Sequence, residues 1–226
     1  MLDRYTLTLQ PDELSLVLGV EVPAEYLPEY NAAPTKSLPV IITLEKDKLS
    51  FQKWGLMSMW SNNRAMSSKF FNLPISSVLN KPSYRKKLGT HRCVIPMDGF
   101  YIWKKVAKKQ QIPHYFFYPD KRVFCVAGLW EQNEDENSFI MITSPANESI
   151  EEFQEDMPLI MDVGSTKKWL ETDEMDELEA LLMKKSNDNF TSHTVSPRIM
   201  DIDLNDVSFI KPTPPSDQHG NYTLFS

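Results

Sequence analysis

With 226 residues, 41% of them apolar and 24% charged, the chain has the make-up of a globular protein with one large domain or at most two small ones. A net charge of −7 argues against a protein that simply coats nucleic acid, two cysteines make no disulfide framework, and no apolar run approaches the length of a membrane-spanning helix. The first ten residues carry Asp3 and Arg4 and no apolar run, so no signal peptide is read and a cytoplasmic location is expected.

Along the chain, RYTLTL (residues 4–9) alternates as a strand, with Tyr5, Leu7 and Leu9 on one face. PDELSLVLGV (11–20) reads as a short helix with Pro11 in its first turn and acidic residues behind it. Residues 22–40 form a proline-paced connection without a helical period. VIITLE (40–45), LSFQKWGL (49–56), RCVIPMDGFYIWKK (92–105), HYFFYP (114–119), RVFCVAGLWE (122–131) and SFIMIT (138–143) are rich in β-branched and aromatic residues and read as strands. SIEEFQE (149–155) and residues 166–185 read as helices; in the second, Trp169, Leu170, Met175, Leu178, Leu181 and Leu182 approximate one apolar stripe. Residues 190–199 and 207–212 end the ordered part, and 213–226 read as a surface tail. Strands in hairpin-like succession, with helices inserted late, predict an α+β fold. Cys93 and Cys125 lie in apolar strand-like runs, where they read as small buried hydrophobes.

Charge is unevenly spread. Residues 85–109 hold eight basic residues, including Arg85, Lys86 and Lys87, opposed only by Asp98, whereas residues 131–179 hold sixteen acidic residues and two lysines. Such a division fits either a face for an anionic polymer or two solvated faces. No Gly-rich nucleotide cradle and no metal-ligand spacing occur, and the four histidines, His91, His114, His193 and His219, are scattered. Neither a cofactor nor a metal is expected. Three stretches look over-specified for packing. EYNAAPT holds Asn31 beside a proline turn. KWGLMSMW sets Trp54 and Trp60 around methionines. DGFYIWKK sets aromatics against lysines, a pattern that serves base stacking as well as core packing.

In this order, the blocks MLDRYTLT, YNAAPT, WGLMSMW, KFFNLPISSV, KPSYRKKLGTHRCVIPMDGFYIW, AGLWE, ITSPANESI, EDMPLIM and TVSPRI resemble the SOS-response-associated peptidase (SRAP) family, whose members process abasic sites in single-stranded DNA. The resemblance runs from Met1 to about Pro212 and implies one SRAP-like domain over residues 1–212, with a mostly antiparallel, barrel-like sheet and flanking helices. It also implies a chemistry. A cysteine at position 2 becomes the N-terminus, its α-amine condenses with the opened abasic aldehyde, and its thiol closes a durable thiazolidine. A glutamate and a histidine handle protons.

Carried over position by position, much of that machinery is absent. Leu2 stands at the nucleophile, Asp3 at the usual glycine, Ile102 at the glutamate, Gln154 at the histidine, and Pro74 and Asp156 at two arginines. Arg4, Asn31, Asn72 and Thr143 match. Leu2 has no thiol, Ile102 transfers no proton, and Gln154 does not titrate in the working range. A large residue at position 2 also opposes removal of Met1, which would put the free amine one residue out of register. The expectation is a monomeric protein that binds single-stranded DNA containing abasic sites without a covalent step. Arg4, Asn31, Trp54, Trp60, Asn72, Thr143 and Arg85–Lys87 would line its pocket or DNA surface. The alternatives are an interaction or scaffold protein on the same fold, and an active crosslinker or peptidase using the Met1 amine or Cys93.

Overall fold

The computed structural model describes residues 2–55, 70–108, 110–132, 136–186 and 188–222. In chain order, the first half comprises β1 (Tyr5–Leu7), α1 (Pro11–Leu18), β2 (Glu29–Ala32), β3 (Ser37–Ile42), β4 (Glu45–Trp54), β5 (Asn72–Pro74), α2 (Ile75–Asn80) and α3 (Pro82–Thr90). There follow β6 (Arg92–Met97), β7 (Gly99–Ala107), β8 (Gln110–Phe117), β9 (Phe124–Glu131), β10 (Ser138–Pro145), β11 (Asp156–Pro158) and β12 (Ile160–Met161). The chain closes with α4 (Val163–Glu171), α5 (Met175–Leu182), β13 (Thr191–Thr194) and two 3₁₀ turns, Pro197–Met200 and Val207–Ile210.

The strands form two sheets. The first is antiparallel, in the order β13-β8-β7-β1-β2. In the second, β10, β9, β6, β3 and β4 pair in a closed ring, with β10 and β4 parallel and the other pairs antiparallel. β5 takes up the β10 edge where β4 leaves it: Phe139 pairs with Trp54 and Met141 with Asn72. The expected α+β, barrel-like architecture is therefore present.

The two-residue period divides the ring cleanly. Cys93, Ile95 and Met97 of β6, Val126 and Trp130 of β9, and Phe139 and Met141 of β10 join Leu2, Tyr5, Phe100, Ile102 and Phe116 in one core. Their strand neighbours Val94, Ala127, Leu129, Ile140 and Ile142 face a second core with Leu14, Tyr84, Leu88, Trp169, Leu178 and Leu182 of the helices. A third, smaller core seats Val195, Ile199 and Phe209 against Tyr101 and Tyr115 of the first sheet.

Residues 92–105, expected as one strand, are two strands in different sheets. Asp98 makes the break. Its carboxylate accepts from Thr6 Oγ1 (2.5 Å), Thr8 N (2.6 Å) and Thr8 Oγ1 (2.7 Å), while its own N–H donates to Thr6 O (2.9 Å). Gly99 follows because a Cβ there would lie 2.3 Å from the Tyr115 hydroxyl.

The helix expected over 149–155 is instead a set of turns bonded back to Asn147 O and Ile150 O. This stretch runs straight into the strand that begins at Asp156, too short a length to propagate a helix. The helix expected over 166–185 starts earlier and splits at Thr172–Glu174. Thr172 is extended (ψ 143°), and its carbonyl is held by Arg92 Nη2 at 2.6 Å. That arginine is buried and also bonds Trp169 O, Leu88 O and Gly89 O, so it closes the C-terminal turns of α3 and α4 together. Residues 213–222 lie along the first sheet. Thr213 N donates to Thr194 O, and Gln111 N donates to Gln218 Oε1. Buried Asp217 accepts the N–H groups of His219 and Asn221.

Candidate functional site

Leu2 is only 1% exposed and packs in the first core with Tyr5, Trp54, Phe71 and Ile102. Asn72 fixes its backbone, donating from Nδ2 to Leu2 O, while Asn72 Oδ1 is buried without a partner among the described residues. The start of the described chain is therefore seated against β5 and β7. Burial raises the carboxyl pKa of Asp3, opposed by the charge of Arg4 and the indole of Trp103. Arg4 Nη1 donates to Asp3 O (2.6 Å) and lies 3.8 Å from Asp3 Oδ2, while Arg4 Nε is buried with no partner among the described residues. Tyr5, fully buried with its hydroxyl likewise unpartnered among them, meets Trp54 edge-on at 5.3 Å.

Ile102, 2% exposed, lies directly opposite His114 across the β7–β8 pair. The His114 ring packs against Phe153 at 5.0 Å, and its Nδ1 lies 3.1 Å from Ile112 O. A carbonyl only accepts, so Nδ1 carries the proton in this contact. Burial lowers the His114 pKa, and the charge of nearby Lys104 adds to this. Gln154 is half-buried, with Nε2 donating to Asp156 O. The hairpin register thus brings one of the scattered histidines beside the Ile102 position. No sequence motif announces it, because the pairing arises only once β7 and β8 are in register.

Besides Arg4, Trp54 and Asn72, the expected site residues do not gather around Leu2. Thr143, Pro74 and Asp156 line a separate groove of about 1090 Å³. Asn31 spends its Nδ2 on Asp201 O (2.9 Å) and Leu204 O (3.0 Å), tying β2 to the C-terminal segment. Trp54 is fully buried, stacked on Phe139 and bonded through Nε1 to Phe71 O at 2.8 Å, so it offers no ring face for a base. Trp60 and Met1 lie outside the described residues. Arg85 and Lys87 stand on α3, over the second core, paired with Glu179 and Glu131 respectively, while Lys86 is exposed. Lys104 and Lys105 belong to β7 in the other sheet. The basic run of the sequence is thus divided between two flanks.

Both cysteine thiols are buried. Burial pushes Cys93 far up and Cys125 to about 12, so both stay protonated at neutral pH and are poor nucleophiles. Among the described residues, no group of three His, Cys, Asp or Glu is placed to hold a metal ion, and no helix is long and apolar enough to cross a membrane.

Comparison with known proteins agrees with this architecture. Over residues 1–202 the chain matches the family model described as SOS response associated peptidase (SRAP). The abasic site processing protein YoqW of Bacillus subtilis (strain 168) is 31% identical over 207 residues, 87% of this chain and 92% of the relative. The abasic site processing protein HMCES of Rattus norvegicus is 28% identical over 77% of this chain and 62% of its own length. A crystal structure of a protein from Bacteroides thetaiotaomicron has the same fold, with a TM-score of 0.78 at 18% identity, covering 93% of this chain and 99% of that one. Family match, relatives and fold agree: the chain belongs to the SOS response associated peptidase family.

Proposed function

We propose that this protein recognises abasic sites in single-stranded DNA and forms no durable covalent bond with them. The observation that carries the reading is Leu2, seated in the core with its carbonyl clasped by Asn72. The start of the chain keeps its place in the site, but no sulfur is there to trap an aldehyde. Ile102 and Gln154 add no acid or base. The reading includes one domain over residues 1–212 of a cytoplasmic monomer, without cofactor or metal. The names of the relatives support an abasic-site partner.

Fluorescence anisotropy with a labelled single-stranded oligonucleotide carrying one abasic site tests this at low and moderate salt. Binding that weakens with salt is expected. No binding at either salt would refute it.

A second reading is an interaction or scaffold protein on the same fold. It is favoured by the closed, apolar surroundings of Leu2 and Ile102, 1% and 2% exposed. It predicts no preference for DNA over other polyanions. Of the third alternative, a crosslinker or peptidase using the Met1 amine or Cys93, the Cys93 route is disfavoured by the burial and raised pKa of that thiol.

A further inference from the structure

We propose that the groove between α2, the end of β10 and residues 182–186 and 188–189 docks a short cationic peptide segment with one or two apolar side chains. The volume, about 1090 Å³, is at the upper end for sites that enclose a small ligand and suits a peptide segment. Its lining combines apolar side chains, among them Ile75, Leu79 and Met183, with a carboxylate rim. Met183 is 66% exposed although it follows directly on the buried Leu182 of α5. An exposed thioether on such a wall is suited to adaptable apolar contacts.

Charge selects the occupant. Glu148, Glu151, Asp156 and Asp188 border the groove, against Lys184 and Lys185. Lys184 is already engaged, since its Nζ bonds Asp162 Oδ2 and lies 3.0 Å from Ser165 Oγ. That ammonium holds the Asp162 carboxyl at about 2. Four carboxylates against Lys185 repel phosphates and attract ammonium or guanidinium groups, so a peptide carrying Lys or Arg fits where a nucleic-acid backbone does not. The inference goes beyond the DNA reading: Thr143, expected at the DNA surface, also lines this groove, where Pro74 and Asp156 stand in place of the arginines that the SRAP resemblance implies, so the two readings part here on charge.

The test is fluorescence polarisation with the full chain and a labelled twelve-residue peptide of Lys and Leu. Binding should weaken at least about fivefold between low salt and roughly twice physiological ionic strength. Glu151→Lys/Asp156→Lys should weaken it at least about tenfold. Glu25→Lys/Asp47→Lys, the same charge change at exposed positions away from the groove, should shift it less than about twofold. Melting temperatures of both variants would confirm that the fold is kept, and Glu151→Gln/Asp156→Asn gives a milder second pair. Absence of binding, equal losses in groove and control variants, or displacement of the peptide by single-stranded DNA would each overturn the proposal. Because the DNA assay is separate, either conclusion stands or falls alone.

Discussion

Replacing Leu2 by Cys, in protein prepared without Met1 so that the introduced cysteine is its first residue, restores the thiol that the SRAP resemblance calls for, yet stable crosslinking is not expected to follow. Leu2 is 1% exposed among Tyr5, Trp54 and Ile102. Shortening it there costs about 1–2 kcal/mol of stability, the transfer of roughly two carbons with partial collapse of the cavity. The larger effect is on ionisation. Burial holds Cys125 at about 12. The same cause, burial, would hold an introduced thiol at position 2 above its ordinary value and leave it less ionised at neutral pH than an exposed cysteine. Ile102 beside it supplies no base. On a denaturing gel with labelled abasic single-stranded DNA, the Leu2→Cys protein should therefore show no heat-stable shifted band. The triple variant Leu2→Cys/Ile102→Glu/Gln154→His should show one. A robust band from the single variant at the same pH would refute both the ionisation argument and the weight placed on residues 102 and 154.

Arg92→Met removes a buried guanidinium from four carbonyls at the ends of α3 and α4, and should cost about 3–5 kcal/mol in urea unfolding; a loss under about 1 kcal/mol would show that those carbonyls find other partners. Gly128→Ala would place a Cβ 2.6 Å from Ile95 Cδ1 and 2.9 Å from the backbone Ile140 O. Overpacking inside the ring should lower stability by about 1–3 kcal/mol, read as a fall in melting temperature. Burial lowers the pKa of His91, His114 and His193, so below about 6.5 the unfolded chain binds protons that the folded chain refuses. Stability should be retained above that pH and fall as the pH drops below it, and His114→Phe should flatten the fall; an unchanged slope in that variant would contradict it.

Which features are legible in the sequence follows from how local their causes are. β6, β9 and β10 are visible as runs of β-branched and aromatic residues, because both faces of each strand are buried, but which residue faces which core is not. The division of residues 92–105 is not visible, because Asp98 breaks the strand through Thr6 and Thr8, 92 and 90 positions away. α2 and α3 give little signal because they are short and mostly polar, with Val78, Tyr84 and Leu88 as their buried residues. The basic run is legible as composition, but its neutralisation is not, since Lys87 and Arg85 meet carboxylates 44 and 94 positions further on. The site shows the same limit. The loss of the thiol is a one-letter reading, whereas the approach of His114 to Ile102 depends on the register of a hairpin.

These placements separate two properties that a thiol at position 2 would join. Seating the start of the chain needs Asn72, the β1–β7 pairing and an apolar surround, and all three are present. Trapping an aldehyde needs an ionisable nucleophile and a nearby acid or base. The same apolar surround that seats Leu2 opposes charge on anything placed there. A reactive residue at position 2 therefore requires polar partners close by to offset burial, and Ile102 stands where the SRAP resemblance implies a carboxylate. Leu2 and Ile102 are both buried in the first core. Burial at position 2 opposes ionisation of a thiol there, and burial at 102 opposes a charged carboxylate in the same core. Either reversal alone leaves a mismatch, which is why the triple variant, rather than Leu2→Cys alone, reports whether this site still holds the geometry for chemistry.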